Sequence, residues 1–268
     1  EAYLAQKWMD EPYYSTCGKL ENDVGLNDQK TIDIDGYNGP ESPQDCLLES
    51  VADFSDSTSS IAVPNSSSIQ IDMSLSGSFS VTSWVRLNEN LTGDQIFFYK
   101  LASSQLQGQA LLAIRSDRDI DFGINRFGYE WNWCSSSAVG KLMPIGEWVH
   151  ITAVKNGTDL SIYLDGKKII SCTQTTSPTT STGILRIGSN SGNSGDLFEG
   201  NLDDLSIWTK ALSSSEISDI IKNGISSNAS DLGMLYQFDS GNLATDATSN
   251  NNDGTQNGTA VPTDSLRK

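Results

Sequence analysis

The stretch Trp148-Val149-His150-Ile151-Thr152-Ala153-Val154-Lys155-Asn156-Gly157, continued by Thr158-Asp159-Leu160-Ser161-Ile162-Tyr163-Leu164-Asp165-Gly166, decides the fold. Trp148 to Lys155 and Leu160 to Leu164 are rich in β-branched and aromatic residues, which pack well on a pleated surface. Asn156-Gly157 and Asp165-Gly166 supply the positive φ angles that two-residue hairpin turns require. Three consecutive antiparallel strands are therefore expected.

The same texture extends to both sides. Ser78 to Leu87 alternates with period two, and Gln95 to Leu101, Ala110 to Arg115 and Asp119 to Asn125 continue it. Tyr129 to Cys134 reads as the arm of a hairpin that follows the turn Arg126-Phe127-Gly128. Ile184 to Gly188, Leu202 to Trp208 and Met234 to Phe238 add further strands. One short helix is expected, because Ser213-x-x-Glu216 is a capping box and Ile217, Ile220 and Ile221 form an apolar stripe closed by Asn223-Gly224. The chain reads as all-β, an antiparallel sandwich with one short helix near its C-terminal end. Nothing reads as a linker between two cores.

Residues 1–50 carry Gly, Pro and Asp clusters and read as a Cys-containing N-terminal extension packed on the sandwich. The sandwich is expected over 51–240, and 241–268 as a polar tail or the start of a further repeat.

The 17 basic residues stand against 34 acidic ones, a formal charge of −17. Such a field repels nucleic-acid phosphates and anionic lipid headgroups, so neither is an expected partner. It serves solubility, or it holds divalent cations. No run of eighteen apolar residues occurs, so no transmembrane helix and no membrane insertion are expected. Glu1-Ala2-Tyr3 opens no basic and then apolar leader, so any signal peptide is expected to be already removed. Cys17, Cys46, Cys134 and Cys172 form no CxxC pair, which argues against zinc or a redox motif. Of the three pairings open to four cysteines, the sequence-local one, Cys17–Cys46 with Cys134–Cys172, is expected in an oxidising compartment. Asn65, Asn90, Asn156, Asn228 and Asn257 open N-glycosylation sequons.

In order, Asp53-Phe54-Ser55-Asp56, Ile61-Ala62-Val63-Pro64 and Gly77 to Val85 precede Ile145 to Val154 and Ile162-Tyr163-Leu164-Asp165-Gly166-Lys167. Ile187-Gly188-Ser189, Phe198 to Trp208 and Ala211-Leu212-Ser213 with Glu216-Ile217 close the series. In order and spacing these resemble the laminin-G-like domains of the concanavalin-A-like jelly-roll superfamily, over about residues 51–240. Residues 1–50 lie outside the resemblance. Leu235 to Asp239 with Asp246 to Gly254 looks like the strand and loop that often open such a domain, displaced here to the end, where it either completes this sandwich or begins a neighbouring repeat of a longer parent. The resemblance implies a jelly roll of two antiparallel sheets, a concave binding face and an extracellular glycan or protein as partner. It also implies calcium, with Asp203 as one ligand and Asp56 or the Asp53 carbonyl as another. Ser55 stands where an Asp is frequent in the family, and Asp203 could equally serve turn amides. The Asp246–Asp253 loop is a second oxygen-rich candidate.

Tyr129, Trp131 and Trp133 recur every second residue, so their rings share one face of a strand. On the concave face they form a stacking platform for sugar rings. Facing the other sheet they are core. No glycosidase-like run of paired carboxylates on one strand is present. Asp117-Arg118-Asp119-Ile120-Asp121 and Asp33-Ile34-Asp35 contain no Glu and sit beside turns, and His150, the only histidine, has no triad context. No catalytic residue is assigned.

The expected function is a non-catalytic recognition or adhesion module at the cell surface or outside the cell, binding a glycan or glycoprotein. The first alternative is a structural module of a filament or coat, packed against copies of itself or neighbouring domains of a longer parent. The remote one is a degenerate glycoside hydrolase or polysaccharide lyase.

Overall fold

A computed structural model describes residues 49–54, 58–88, 93–103, 108–126, 131–190, 196–239 and 241–265. The chain divides into a compact unit, Val51–Pro262, and a second made of Glu1–Ser50 with Thr263–Lys268. The first holds the fold described below. Of the second, only 49, 50 and 263–265 are described, so the N-terminal extension, with Cys17 and Cys46, lies outside the described residues.

The strands are β1 (Glu49–Asp53), β2 (Ser60–Val63), β3 (Ser78–Leu87), β4 (Gln95–Lys100), β5 (Gly108–Ile114), β6 (Ile120–Arg126) and β7 (Asn132–Ser135). The central meander supplies β8 (Trp148–Asn156), β9 (Asp159–Leu164) and β10 (Lys167–Thr173). After them come β11 (Leu185–Ile187), β12 (Gly200–Trp208), helix α1 (Ser214–Asn223), β13 (Leu232–Tyr236) and β14 (Thr255–Asn257). One sheet runs β10-β9-β8-β3-β12-β1, with β13 also paired to β12, and the other runs β14-β2-β11-β4-β5-β6-β7. These strands pair with one another antiparallel. The chain is an all-β jelly-roll sandwich.

The two diagnostic turns form with a small difference. Asn156 pairs with Asp159, which leaves Gly157 (φ 59°) and Thr158 as the turn residues. Glycine at the first central position is the requirement of a type II′ turn. At the next hairpin Asp165 (φ 46°) and Gly166 (φ 76°) are both left-handed, as a type I′ turn needs.

Between the sheets, Phe79, Val81, Val85, Ile151, Leu205 and Ile207 from one side meet Phe98, Leu112, Phe122, Ile124 and Ile187 from the other. The outward face of the first sheet is also covered. Trp84, Val154, Tyr163, Trp208 and Leu235 pack there against Ile217, Ile220 and Ile221 of α1, with Trp148 partly buried beside them. The capping box that starts this helix has both its hydrogen bonds. Trp84 is thus buried, but under the helix rather than between the sheets.

The sandwich extends past the boundary expected at 240. β14 pairs with β2, and the Asp246 carboxylate ties the segment between β13 and β14 together. It accepts from the amides of Leu235, Thr248 and Asn252, the Thr248 hydroxyl and the Asn252 side-chain amide. Tyr236 donates its hydroxyl to the Asn252 carbonyl at 2.7 Å, with the Ala244 carbonyl 3.3 Å away. The terminal strand and loop complete this sandwich.

Candidate functional site

With α1 on the first sheet, the outward face of the second sheet is where the candidate aromatic residues fall. Strand alternation places them. Ala110, Leu112 and Ile114 of β5 and Phe122 and Ile124 of β6 face the core, so Leu111, Ala113, Asp121 and Gly123 point outward. Cys134 of β7 faces the core, so Trp133 points outward and Trp131, just before the strand, follows it. The expected strand from Tyr129 is shorter than read: β7 starts at Asn132, and Tyr129 lies outside the described residues.

Ile96, Tyr99, Leu111 and Ala113 form a small apolar cluster on this face, with Trp131 packed against it. Trp131 and Trp133 stack with centroids 4.9 Å apart and planes 19° apart. Tyr99 lies 6.4 Å from Trp131, tilted by 41°. The Arg115 guanidinium sits over the Trp133 ring, 4.6 Å from its centroid. A guanidinium and an indole cannot share one face, so Trp133 is sandwiched between Arg115 and Trp131. The rings therefore form a stack across the sheet, not a flat row side by side. Stacking and cation–π contacts each contribute about 0.5–1.5 kcal/mol, which favours this arrangement over splayed rings.

Gly123 makes room for the stack. It lies opposite Trp133 in the β6–β7 register. A Cβ there would stand 2.3 Å from Trp133 Cζ3 and 2.9 Å from Trp131 Cε3, inside contact distance. Reading the sequence alone missed Gly123, Tyr99 and Arg115. A lone glycine inside the Asp119–Asn125 alternation is the signal that marks a close approach.

β7 is held on its other face. Asn132, between the two tryptophans, accepts from the Thr175 amide and hydroxyl and donates to the Ile124 carbonyl and the Thr176 hydroxyl. Cys134 forms a disulfide with Cys172 of β10, Cα–Cα 5.4 Å. β7 and β10 are end strands of opposite sheets, so the bridge staples the sandwich directly behind Trp133.

Arg115 donates to Asp121 Oδ2 at 2.6 Å and to Asp94 Oδ2 at 2.7 Å. Burial works against its charge, but the hydrogen bonds and charges of the two carboxylates outweigh burial and raise its pKa. The Asp117–Asp121 run is thus committed to structure. Asp117 accepts the Asp119 amide, Asp119 the Ser136 hydroxyl, and Asp121 the Arg115 guanidinium. His150 is buried on β8, edge-on to Trp84 at 5.2 Å, with Nδ1 3.3 Å from the Thr152 hydroxyl.

Asp203 is buried on β12, and its Oδ1 accepts the Asp204 amide at 2.8 Å. Asp53 pairs with Asn201, so alternation puts Asp53 and Asp203 on the same outward face of the first sheet. Asp56 lies outside the described residues. Calcium takes six to eight oxygens, and among the described residues no three His, Cys, Asp or Glu side chains gather as a metal site. The Asp246 loop has its carboxylate filled by hydrogen bonds. Among the described residues no helix is long and apolar enough to cross a membrane.

No curated protein matches the chain. Among solved structures, a candidate carbohydrate binding protein from Bacteroides ovatus is 16% identical with a TM-score of 0.59. The match covers 83% of this chain and 62% of that one, so this chain spans under two thirds of its length. Domain 4 of AbnA, a GH43 extracellular arabinanase of Geobacillus stearothermophilus in complex with arabinotriose, is 20% identical, TM-score 0.49, over 61% of this chain and 72% of that one. The binding domain of botulinum neurotoxin serotype G is 14% identical, TM-score 0.50, over 63% and 41%. At these identities the likeness is one of fold. A family model, Laminin_G_3, matches residues 55–218, more than half of the 268 residues. The chain belongs to this laminin-G-like family of the concanavalin A-like lectin/glucanases superfamily.

Proposed function

We propose that the chain is a non-catalytic, extracellular recognition module that binds a glycan, free or on a glycoprotein, on the outward face of its second sheet. The carrying observation is the Trp131–Trp133 stack seated over Gly123, with Trp133 38% exposed. Sugar rings carry apolar C–H faces and polar hydroxyl rims. The exposed ring edges of this aromatic ridge and the Arg115, Asp94 and Asp121 groups that border it offer matching chemistry for both. The carbohydrate-binding description of the Bacteroides ovatus protein and the shared fold support the same reading. The Cys134–Cys172 bridge suits an oxidising compartment outside the cell. With the carboxylates of the Asp117–Asp121 run committed to turns and to Arg115, that run offers no free acid–base pair.

Glycan-array binding of the native chain and of Trp131→Ala and Trp133→Ala tests the reading. Both variants should lose retention of whatever the native chain captures. Their unfolding free energies should fall by less than the about 3–5 kcal/mol typical of a truncated core aromatic, because the stack lies outside the sandwich core. Unchanged retention by Trp133→Ala would sink the site.

The reading includes a stabilising calcium ion held through Asp53, Asp56 and Asp203. A ligand bound only by the folded chain raises the melting temperature by mass action. Millimolar calcium should therefore raise it more than sodium chloride of equal ionic strength does. Equal shifts would mean that the acidic side chains are merely screened.

A further inference from the structure

We propose that the aromatic face takes neutral, hydroxyl-rich glycans and excludes sulfated or uronic-acid glycans. This deepens, and rests on, the binding-face reading above. The charges around the stack carry the argument. Arg115, the cation over Trp133, is already paired with two carboxylates, Asp94 at 2.7 Å and Asp121 at 2.6 Å. One positive charge against two negative ones leaves the ridge beside Trp133 net acidic. An incoming sulfate or carboxylate approaching the guanidinium would meet the repulsion of these two neighbouring carboxylates, which offsets the attraction of the single cation.

The second observation is Asp121 itself. Its side chain is 9% exposed, and Oδ1 has no hydrogen-bond partner among the described residues. A carboxylate oxygen is an acceptor only. This buried, unmet acceptor beside Arg115 keeps the local potential negative. Arg186 on β11, opposite Tyr99, is another cation on this face; it is half-buried and already has an interaction partner. Over the whole chain, a formal charge of −17 adds long-range repulsion of polyanions.

The test uses the intact chain in affinity electrophoresis through gels holding neutral polysaccharides (arabinan, xylan, mannan, mixed-linkage glucan) or acidic ones (heparin, polygalacturonate, alginate). At low salt, at least one neutral polymer should retard the native chain, and every acidic polymer should bind more weakly by over about tenfold. Asp94→Asn, at a partly exposed position, removes one of the two acids pairing Arg115. It should narrow that gap while its melting curve stays native. An acidic polymer bound as tightly as the neutral ones, or an unchanged gap in Asp94→Asn, overturns the inference and leaves the binding face standing. No retardation by either class, with the chain folded, overturns the binding-face reading itself.

Discussion

Two buried lysines show how single residues set the pH response of this sandwich. Lys100 is fully buried, and its ammonium donates to Asn65 Oδ1 at 2.8 Å and the Gly183 carbonyl at 2.7 Å. Burial pulls its pKa down to about 7. Lys155, also buried, donates to the Ser74 and Gly77 carbonyls, and burial brings it to about 8 despite the nearby Asp72. A lysine whose folded pKa is lowered holds fewer protons folded than unfolded between the two values, so stability must rise with pH across that interval. Below about 7 the full cost of the buried Lys100 charge is present; toward 10.5 it vanishes. Urea unfolding from neutral pH to about pH 10 should therefore show stability climbing in the native chain and a flatter slope in Lys100→Met. Equal slopes would mean that Lys100 stays charged in the fold. Neither lysine announces itself in sequence, where each reads as an ordinary strand residue. What buries them is the closure of loops from distant segments, at Asn65 and Gly183 for one and at Ser74 and Gly77 for the other.

At the scale of elements, legibility followed locality. The β8–β9–β10 meander and α1 were readable because turn glycines and a capping box act within a few residues. The hairpin type shifted by one residue because strand pairing carried Asn156 into the ladder. The Trp131–Trp133 periodicity was readable too, but its face was not. That depends on α1 covering the first sheet and on Gly123, a neighbour only through the β6–β7 register. β7 is the element on which the candidate site depends. It is four residues long and ends its sheet, so its ladder alone holds it weakly. The Cys134–Cys172 bridge closes a separation of 38 residues, and removing it by a double Cys→Ala change should cost about 2–4 kcal/mol. Retention of a captured glycan should fall as well, because the strand that carries Trp133 is released from β10. Unaltered stability would mean that the Asn132 hydrogen bonds suffice to hold β7.

The sandwich closes only when residues 241–262 are in place, which no local pattern could decide. A strand followed by an Asp/Asn-rich loop looks the same whether it ends one sandwich or opens another. The distinction lies in partners far away in sequence, for β14 pairs with β2 and Asn252 exchanges hydrogen bonds with Ser68. A chain ending at Asp239 tests this. It would leave β2 without its outer neighbour and the Tyr236 hydroxyl, buried in the core, without the Ala244 and Asn252 carbonyls. The Leu235 amide would also lose Asp246. An unmet buried polar group costs about 1–3 kcal/mol, so these two alone remove a large part of a domain's usual 5–15 kcal/mol. The loss of Leu243, Ala244 and Ala260 from the core adds to it. The truncated chain should therefore unfold at lower denaturant with reduced cooperativity, and β2, newly an edge, should promote association at raised concentration. A truncated chain that stays monomeric and melts like the native one would restore the tail reading for residues 241–262, with the sandwich complete at β13.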